Sequence, residues 1–485
     1  MKRILAAIAA GIILASVTAR PADAPVTVTL DPSQPGKTIS PDFTGLSFEI
    51  NLLNATAEGV NYFRPDNTNL IALFNTLGIK SLRIGGNTSD RDVRRLPDRS
   101  DISNFFGFAR AAGVKVIYCL RLHEGNPAAD ADLVKYILGN YAAQMDSFSI
   151  GQEPSAYPVE KVDTRLATER MGGAAEKYQY TNYAAAWQNF ATTIIAANPD
   201  VKFAGPSVHN NGTWACKFME DFAHGHNVCL ITEHLYPGGA GGKVPTPEIG
   251  RDRMLSDDFV SKYQKLYDSF VPMAISNGLP YRLEEVNNYF NGGCSNVSNT
   301  FASALWGLDF MYWWAAHDAA GLNFHTGDKV AAGNSLQASK YTAFFTSTNG
   351  YFVRPLGYGI KSFALGGHGQ FIPANLSNPQ SLNLSLYATK DGGDTFVTII
   401  NKEHGDAARA ATLALSGAET FKSARVISLM APGGDITATT GETLGGVTIQ
   451  NDGSWNGTWT EAPLPDAGHP LTVPASSAMI IKLSE

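Results

Sequence analysis

Cysteine is scarce. Four occur in 485 residues, Cys119, Cys216, Cys229 and Cys294. That is too few for a disulfide scaffold in a chain of this length. Cys216 and Cys229 are near enough in sequence to pair across a surface loop. Cys119 lies inside the apolar run Val116–Leu122 and reads as a buried thiol. No C-x-x-C and no H-E-x-x-H occurs, which removes the usual signatures of structural and catalytic zinc. No metal or other cofactor is expected. Positive charge is also in short supply: 37 Lys and Arg stand against 44 Asp and Glu, a net charge of −7. A general nucleic-acid binder needs a basic face, so that class is set aside. Charged residues are 17% and hydrophobic ones 44%, a globular composition and not a disordered one. Beyond the first twenty residues no apolar run reaches the roughly 18 residues that span a bilayer. No internal repeat and no low-complexity tract occurs, and nothing in the sequence reports the oligomeric state.

The start of the chain reads as a secretory leader. Lys2 and Arg3 precede the apolar stretch Ile4 to Val17, and Ala22-Asp23-Ala24 offers a small-residue cleavage site. Residues 1–24 are therefore assigned as a signal peptide. The expected location is secreted or periplasmic, with no membrane span once the leader is removed.

From Ile39 to about Gly327, short apolar runs alternate with longer segments of helical period. The runs are Gly45–Ile50, Ser81–Gly85, Lys115–Leu122, Ser147–Ile150, Lys202–Gly205, Cys229–His234, Tyr281–Val286 and Gly321–Phe324. Most are apolar on both faces, as parallel strands covered on both sides should be. Between them, Asn67–Leu77, Tyr183–Ala197, Asp257–Asn277 and Thr300–Asp318 carry apolar residues at helical spacing. This order predicts an α/β fold, a (β/α)₈ barrel over residues 41–345. An open doubly wound sheet would need a glycine fingerprint after its first strand, and Gly45-Leu46-Ser47-Phe48 supplies none. After about Tyr351 the texture changes to short strands separated by turns such as Asp391-Gly392-Gly393. Residues 346–485 are read as a β-sandwich. The alternating Val26–Leu30, in the segment 25–40, is expected to join it. The aromatics Trp306, Tyr312, Trp313 and Trp314 fall in a helical stretch and read as core.

Barrel enzymes build their sites where strands end. The fourth run ends Gly151-Gln152-Glu153-Pro154, the sixth His234-Leu235-Tyr236 and the seventh Leu283-Glu284-Glu285-Val286. Carboxylates ending the fourth and seventh strands face each other across the mouth, the arrangement glycoside hydrolysis uses. Pro154 is expected to hold Glu153 extended and aim it inward. Gln152 carries an amide suited to a sugar hydroxyl. Successive strand residues point to opposite faces, so one of Glu284 and Glu285 enters the barrel. The other is expected to pair with a helix residue. Spacing alone does not choose between them.

These motifs resemble known enzymes. Gly151-Gln152-Glu153-Pro154 resembles the Asn-Glu-Pro acid/base motif of clan A glycoside hydrolases. Leu283-Glu284-Glu285-Val286-Asn287-Asn288-Tyr289, followed by Gly292-Gly293, resembles the nucleophile loop of glycoside hydrolase family 79. That family includes heparanase and the bacterial β-glucuronidases. Gly45-Leu46-Ser47-Phe48-Glu49 and Leu82-Arg83-Ile84-Gly85-Gly86-Asn87 with Asp90 are also similar to it. The resemblance covers the whole chain after the leader. It departs at Gln152, where the clan carries Asn. It implies a retaining β-glucuronidase acting on a glucuronic-acid-containing carbohydrate, with exo cutting favoured. Glu285 would be the nucleophile, ionised in the free enzyme, and Glu153 the acid/base, protonated there. Glu49, Asn87, Gln152 and Tyr236 would contact substrate or nucleophile. Tyr289 and the backbone N–H groups of Asn291, Gly292 and Gly293 would hold the sugar carboxylate. A neutral-sugar glycosidase of the same clan and a non-catalytic carbohydrate-binding protein are the alternatives.

Overall fold

The computed structural model describes residues 25–93, 95–157, 178–328, 331–332, 335–336 and 338–485. The assigned leader, residues 1–24, lies outside the described residues. Strand β1 (Val26–Leu30) precedes eight strands that close into a parallel barrel. They are β2 (Thr44–Glu49), β3 (Ser81–Gly85), β4 (Lys115–Leu120), β5 (Met145–Ile150), β6 (Phe203–His209), β7 (Val228–Leu235), β8 (Tyr281–Val286) and β9 (Gly321–His325). β9 returns to β2 with Leu46 opposite Phe324, which closes the ring.

Both faces of these strands are buried, but they differ in chemistry. On β2, Leu46 and Phe48 join the apolar core, with the Phe48 ring edge-on to Phe63. Ser47, between them, faces Arg83 and His325 inside the barrel. On β9, Phe324 packs on Trp306 of a surrounding helix, while Asn323 bonds Arg282 and Ser81. The period of two thus sorts apolar side chains outward to the helices and polar ones inward. Trp306, Tyr312 and Trp314 are buried in the helix Phe301–Ala316.

The barrel extends past the boundary drawn at residue 345. Helix Pro355–Gly366 lies against Phe301–Ala316 and Thr68–Leu77, covering the first and last strands. Its glycines hid it from a reading by composition. They are there for close approach: a Cβ on Gly359 would strike the Ala304 carbonyl.

Apart from two short two-stranded hairpins, the remaining strands form two sheets. The smaller runs Ala374–Ser377, β1, Ala411–Ser416, Leu471–Val473, so the N-terminal strand is an interior member, with Val28 opposite Leu376 and Leu415. The larger has Leu384–Asp391, Asp394–Asn401, Ser477–Ser484 and Ser423–Met430 at its centre. Ile481 and Leu483 face the small sheet, and Ile480 faces the barrel core. One sheet therefore serves both as half of the sandwich and as the seat of the barrel. All four cysteines are free thiols: Cys216 and Cys229 do not pair, and burial pushes the Cys119 thiol up to about 12. Among the described residues no helix is long and apolar enough to cross a membrane.

Candidate active site

A cavity of about 420 Å³ opens at the C-terminal ends of the barrel strands. Glu49, Asn87, Arg91, Glu153, His209, Tyr236, Glu285, Phe290, Asn291, Gly292, His325, Ser339 and Tyr341 line it.

Glu285 ends β8 in a cradle of donors. Arg83 Nη1 donates to Oε2 at 2.8 Å, Gln152 Nε2 to the same oxygen at 3.1 Å, and the Tyr236 hydroxyl to Oε1 at 2.9 Å. Arg83 is fully buried between Leu82 and Ile84 of β3. Burial favours the neutral acid, but His325, His234, Arg83 and Tyr236 outweigh it and hold the carboxyl well below its ordinary range. Glu285 is ionised.

Glu153 follows β5 in a left-handed conformation, φ 46° and ψ 54°, not the extended one expected before proline. Pro154 excludes the right-handed helical region. The Glu153 N–H, donating to Ser207 O at 2.9 Å, selects the left-handed turn. Its Oε1 lies 3.1 Å from His234 Nδ1, and its Oε2 accepts from Arg91 Nη2 at 2.9 Å. Burial raises the Glu153 pKa. The His234 hydrogen bond lowers it, and against the Glu285 charge the net position is below the ordinary value. The direction favours the carboxylate in the free site, where the sequence pointed to the protonated acid.

His234 joins the two walls. Burial resists its charge, yet Glu285, Glu153 and Glu284 lift its pKa to about 9. Its Nε2 is 3.5 Å from Glu284 Oε1. Glu284 is fully buried and pairs with this histidine on the neighbouring strand, not with a helix residue. Glu153, His234 and Glu285 offer ligand atoms within 4.8 Å of one another, close enough for a cation. Arg83 and Arg91 already hold the outer oxygens of both carboxylates.

The other expected site residues divide. Glu49 lines the cavity, but its carboxylate accepts from the N–H groups of Asn87 (3.2 Å) and Thr88 (2.8 Å). Gly86 is required there, at φ 73°, because a Cβ would strike that carboxylate. Asn87 also lines it, with its Oδ1 held by Arg91. Gln152 does not reach the cavity. It is 1% exposed, and its amide bonds Arg83 and Glu285. The long Gln side chain sets its amide against Glu285. Tyr289 is also absent from the lining. It is fully buried under Gly238, and its hydroxyl donates to the Gly250 carbonyl at 2.9 Å. Asn291 and Gly292 face the cavity, while Gly293 turns toward Ser298 and Tyr341 N.

Sequence reasoning did not single out Arg91, His209, Phe290, His325, Ser339 or Tyr341 as site residues. Arg83 left a signal, a lone cation in an apolar strand. Ser339 and Tyr341 left none, because they come from the connection after β9. Asp90 ties the loops together: it accepts from Leu122 N (2.8 Å), His123 N (2.9 Å), Gln152 N (2.7 Å) and the Tyr157 hydroxyl.

The fold is that of (β/α)₈ glycosidases carrying a C-terminal sandwich. A 4-O-α-L-rhamnosyl-β-D-glucuronidase from Fusarium oxysporum 12S superposes with a TM-score of 0.68 at 18% identity, over 94% of this chain and 99% of that one. AbfB, a family 51 α-L-arabinofuranosidase from Bifidobacterium longum, superposes with a TM-score of 0.64 at 15% identity, over 95% and 100%. In sequence, a β-glucuronidase of Aspergillus niger is 25% identical over 191 residues. That alignment covers 37% of this chain and spans about a third (34%) of the relative. No protein-family pattern matches the chain.

Proposed function

We propose that this protein is a retaining β-glucuronidase, with Glu285 as nucleophile and Glu153 as acid/base. The observation that carries the reading is the pair itself. Glu153 just beyond β5 and Glu285 near the end of β8 bring one carboxylate oxygen of each within 4.8 Å of the other. So close an approach suits the short separation of retaining pairs, about 5–5.5 Å between carboxyl groups, better than the about 6.5–9.5 Å by which inverting pairs admit a water. The matches to two glucuronidases, one in sequence and one in fold, support the choice of sugar.

In the first step Glu285 attacks the anomeric carbon as the bond to the leaving oxygen breaks, and Glu153 gives that oxygen a proton. In the second, Glu153 removes a proton from water, which displaces Glu285 from the sugar. Glu153 must gain its proton as substrate binds, since the free site holds it ionised. The sugar carboxylate falls to the Asn291–Gly292 backbone with the Tyr341 hydroxyl, which lines the wall where Tyr289 was expected to act. Glu49 and Asn87 face the sugar hydroxyls.

The test is kcat/KM on p-nitrophenyl β-D-glucuronide beside the matching glucoside, xyloside and α-L-arabinofuranoside. Donors desolvated for an anion are left unpaired by a neutral sugar. The glucuronide should lead the glucoside by at least about 10³-fold. Replacing Gly292 by Leu should shrink that lead. A neutral sugar in front would replace the reading by that of a neutral-sugar glycosidase.

A further inference from the structure

Each oxygen of Glu153 faces a protein donor: Oε1 faces His234 and Oε2 accepts from Arg91. To protonate a leaving oxygen Glu153 must first carry a proton, and a guanidinium held against it opposes that. The two donors differ in how they are held. The His234 side chain is fully buried, with Glu153 at one ring nitrogen and Glu284 at the other. The Arg91 side chain is 22% exposed and lines the cavity. Its Nε is buried without a hydrogen-bond partner among the described residues. Arg91 is therefore the partner that can leave, and its present contacts do not satisfy it.

We propose that Arg91 is an anion subsite on the leaving-group side, which takes a carboxylate or sulfate carried by the residue that departs. The proposal rests on the glycosidase reading above, because it is the acid/base that defines the leaving-group side. A guanidinium meets a carboxylate or sulfate with two parallel N–H donors, a geometry an ammonium cannot copy. Turning to the substrate, Arg91 frees Oε2. Glu153 then keeps His234 on β7, His209 on β6 at 3.8 Å and Glu285 on β8 as its charged or titratable neighbours. Losing a cation and gaining a nearby anion both favour the neutral acid. Glu153 takes a proton from water and passes it to the leaving oxygen as that bond breaks and the Glu285 ester forms. The attacking water gives Glu153 a proton in the second step, and that proton returns to solvent as the sugar leaves and Arg91 swings back, so the cycle closes. A neutral leaving group does not draw Arg91 away, so the acid is freed for a smaller share of the time and turnover is slower. The preferred substrate is then a glucuronide whose next residue is itself acidic.

The test compares 3-carboxyphenyl and 3-carbamoylphenyl β-D-glucuronide, leaving groups of nearly equal shape that differ in charge. Wild type should favour the carboxylate by at least about tenfold in kcat/KM, a gap of about 1.4 kcal/mol. Arg91→Met should bring the ratio to about one, and Arg91→Lys should keep part of it. Thermal unfolding of both variants reports their folding, and Arg91→Lys carries the test if Arg91→Met fails to fold. A wild-type ratio near one overturns the proposal, as does a ratio that survives in Arg91→Met. If Arg91→Met instead erases the lead of glucuronide over glucoside and leaves the leaving-group ratio intact, Arg91 holds the sugar's own carboxylate and the proposal falls. Wild type cleaving only the glucoside overturns the glucuronidase reading, and shows up separately from these results.

Discussion

The two walls of the cavity are built on opposite plans. On the nucleophile wall, Glu285 ends a strand and is fixed by three neutral or cationic donors, all buried. On the acid/base wall, Glu153 sits one turn beyond its strand, in a left-handed residue, between one buried donor and one partly exposed cation. A nucleophile works from one protonation state and gains from rigidity. An acid that becomes a base must change its proton twice per turnover. On the proposed mechanism, one wall is set before substrate arrives and the other completes itself on binding.

The comparison breaks most severely at Glu285. Glu285→Gln should lower turnover of an aryl β-glucuronide by about 10⁴-fold or more, since the covalent route is gone. Glu284→Gln, one residue away, should cost far less, because that carboxylate lies on the far side of His234, beside Ser207 and away from the cavity. Steady-state assays of both variants decide it, and a dead Glu284→Gln beside an active Glu285→Gln would reverse the assignment.

On the other wall, Glu153→Ala should depend on the leaving group. Poor leaving groups should slow by about 10²–10⁴-fold and dinitrophenyl much less, because only the former need a proton. Added azide should restore turnover and yield a β-glucuronyl azide, identifiable by mass and NMR. Equal losses across leaving groups, without rescue, would remove Glu153 from the role.

Tyr236→Phe sharpens the contrast at one hydrogen bond. A bond to a charged group contributes about 1.5–3 kcal/mol, so the rate should fall by roughly 10–100-fold. The sign of the pH effect follows from the lowered pKa of Glu285. Activity is present above that pKa and is lost as pH falls through it. Removing a donor raises the pKa, so the acidic limb of kcat/KM should move to higher pH. An unmoved limb would mean that Tyr236 only packs.

The smallest effect on chemistry should come from Asp90→Asn, which acts on stability. An amide presents an N–H₂ where the carboxylate received donors from two loops. The loss should be roughly 2–3 kcal/mol, read as a lower Tm with the nucleophile wall intact. A variant as stable as wild type would show that those loops hold without it.

Much of the fold was legible because it rests on local pattern. Seven of the eight barrel runs begin within one residue of the strands found, since burial on both sides leaves continuous apolar sequence. The hairpin at Asp391–Asp394 carried its own turn signal. Helix Pro355–Gly366 was not legible, because its small residues are chosen for contact with another helix and look like loop. Of the site, the two carboxylates were readable at strand ends. The state of Glu153 was not, since it depends on His234, 81 positions away in sequence.

The sequence by itself therefore determined the alternation of strand and helix, the all-β end and the positions of Glu153 and Glu285. Each is written in a stretch of a few residues and follows from period and turn chemistry. Only the tertiary structure decided that Gln152 supports Glu285, that Tyr341 and not Tyr289 faces the cavity, and that Arg91 holds Glu153. Closing eight strands into a ring brings the ends of β2 and β9 together and sets loops from distant parts of the chain around one cavity. Hydrogen bonds and charge act over a few ångströms through that space, whatever the separation along the chain.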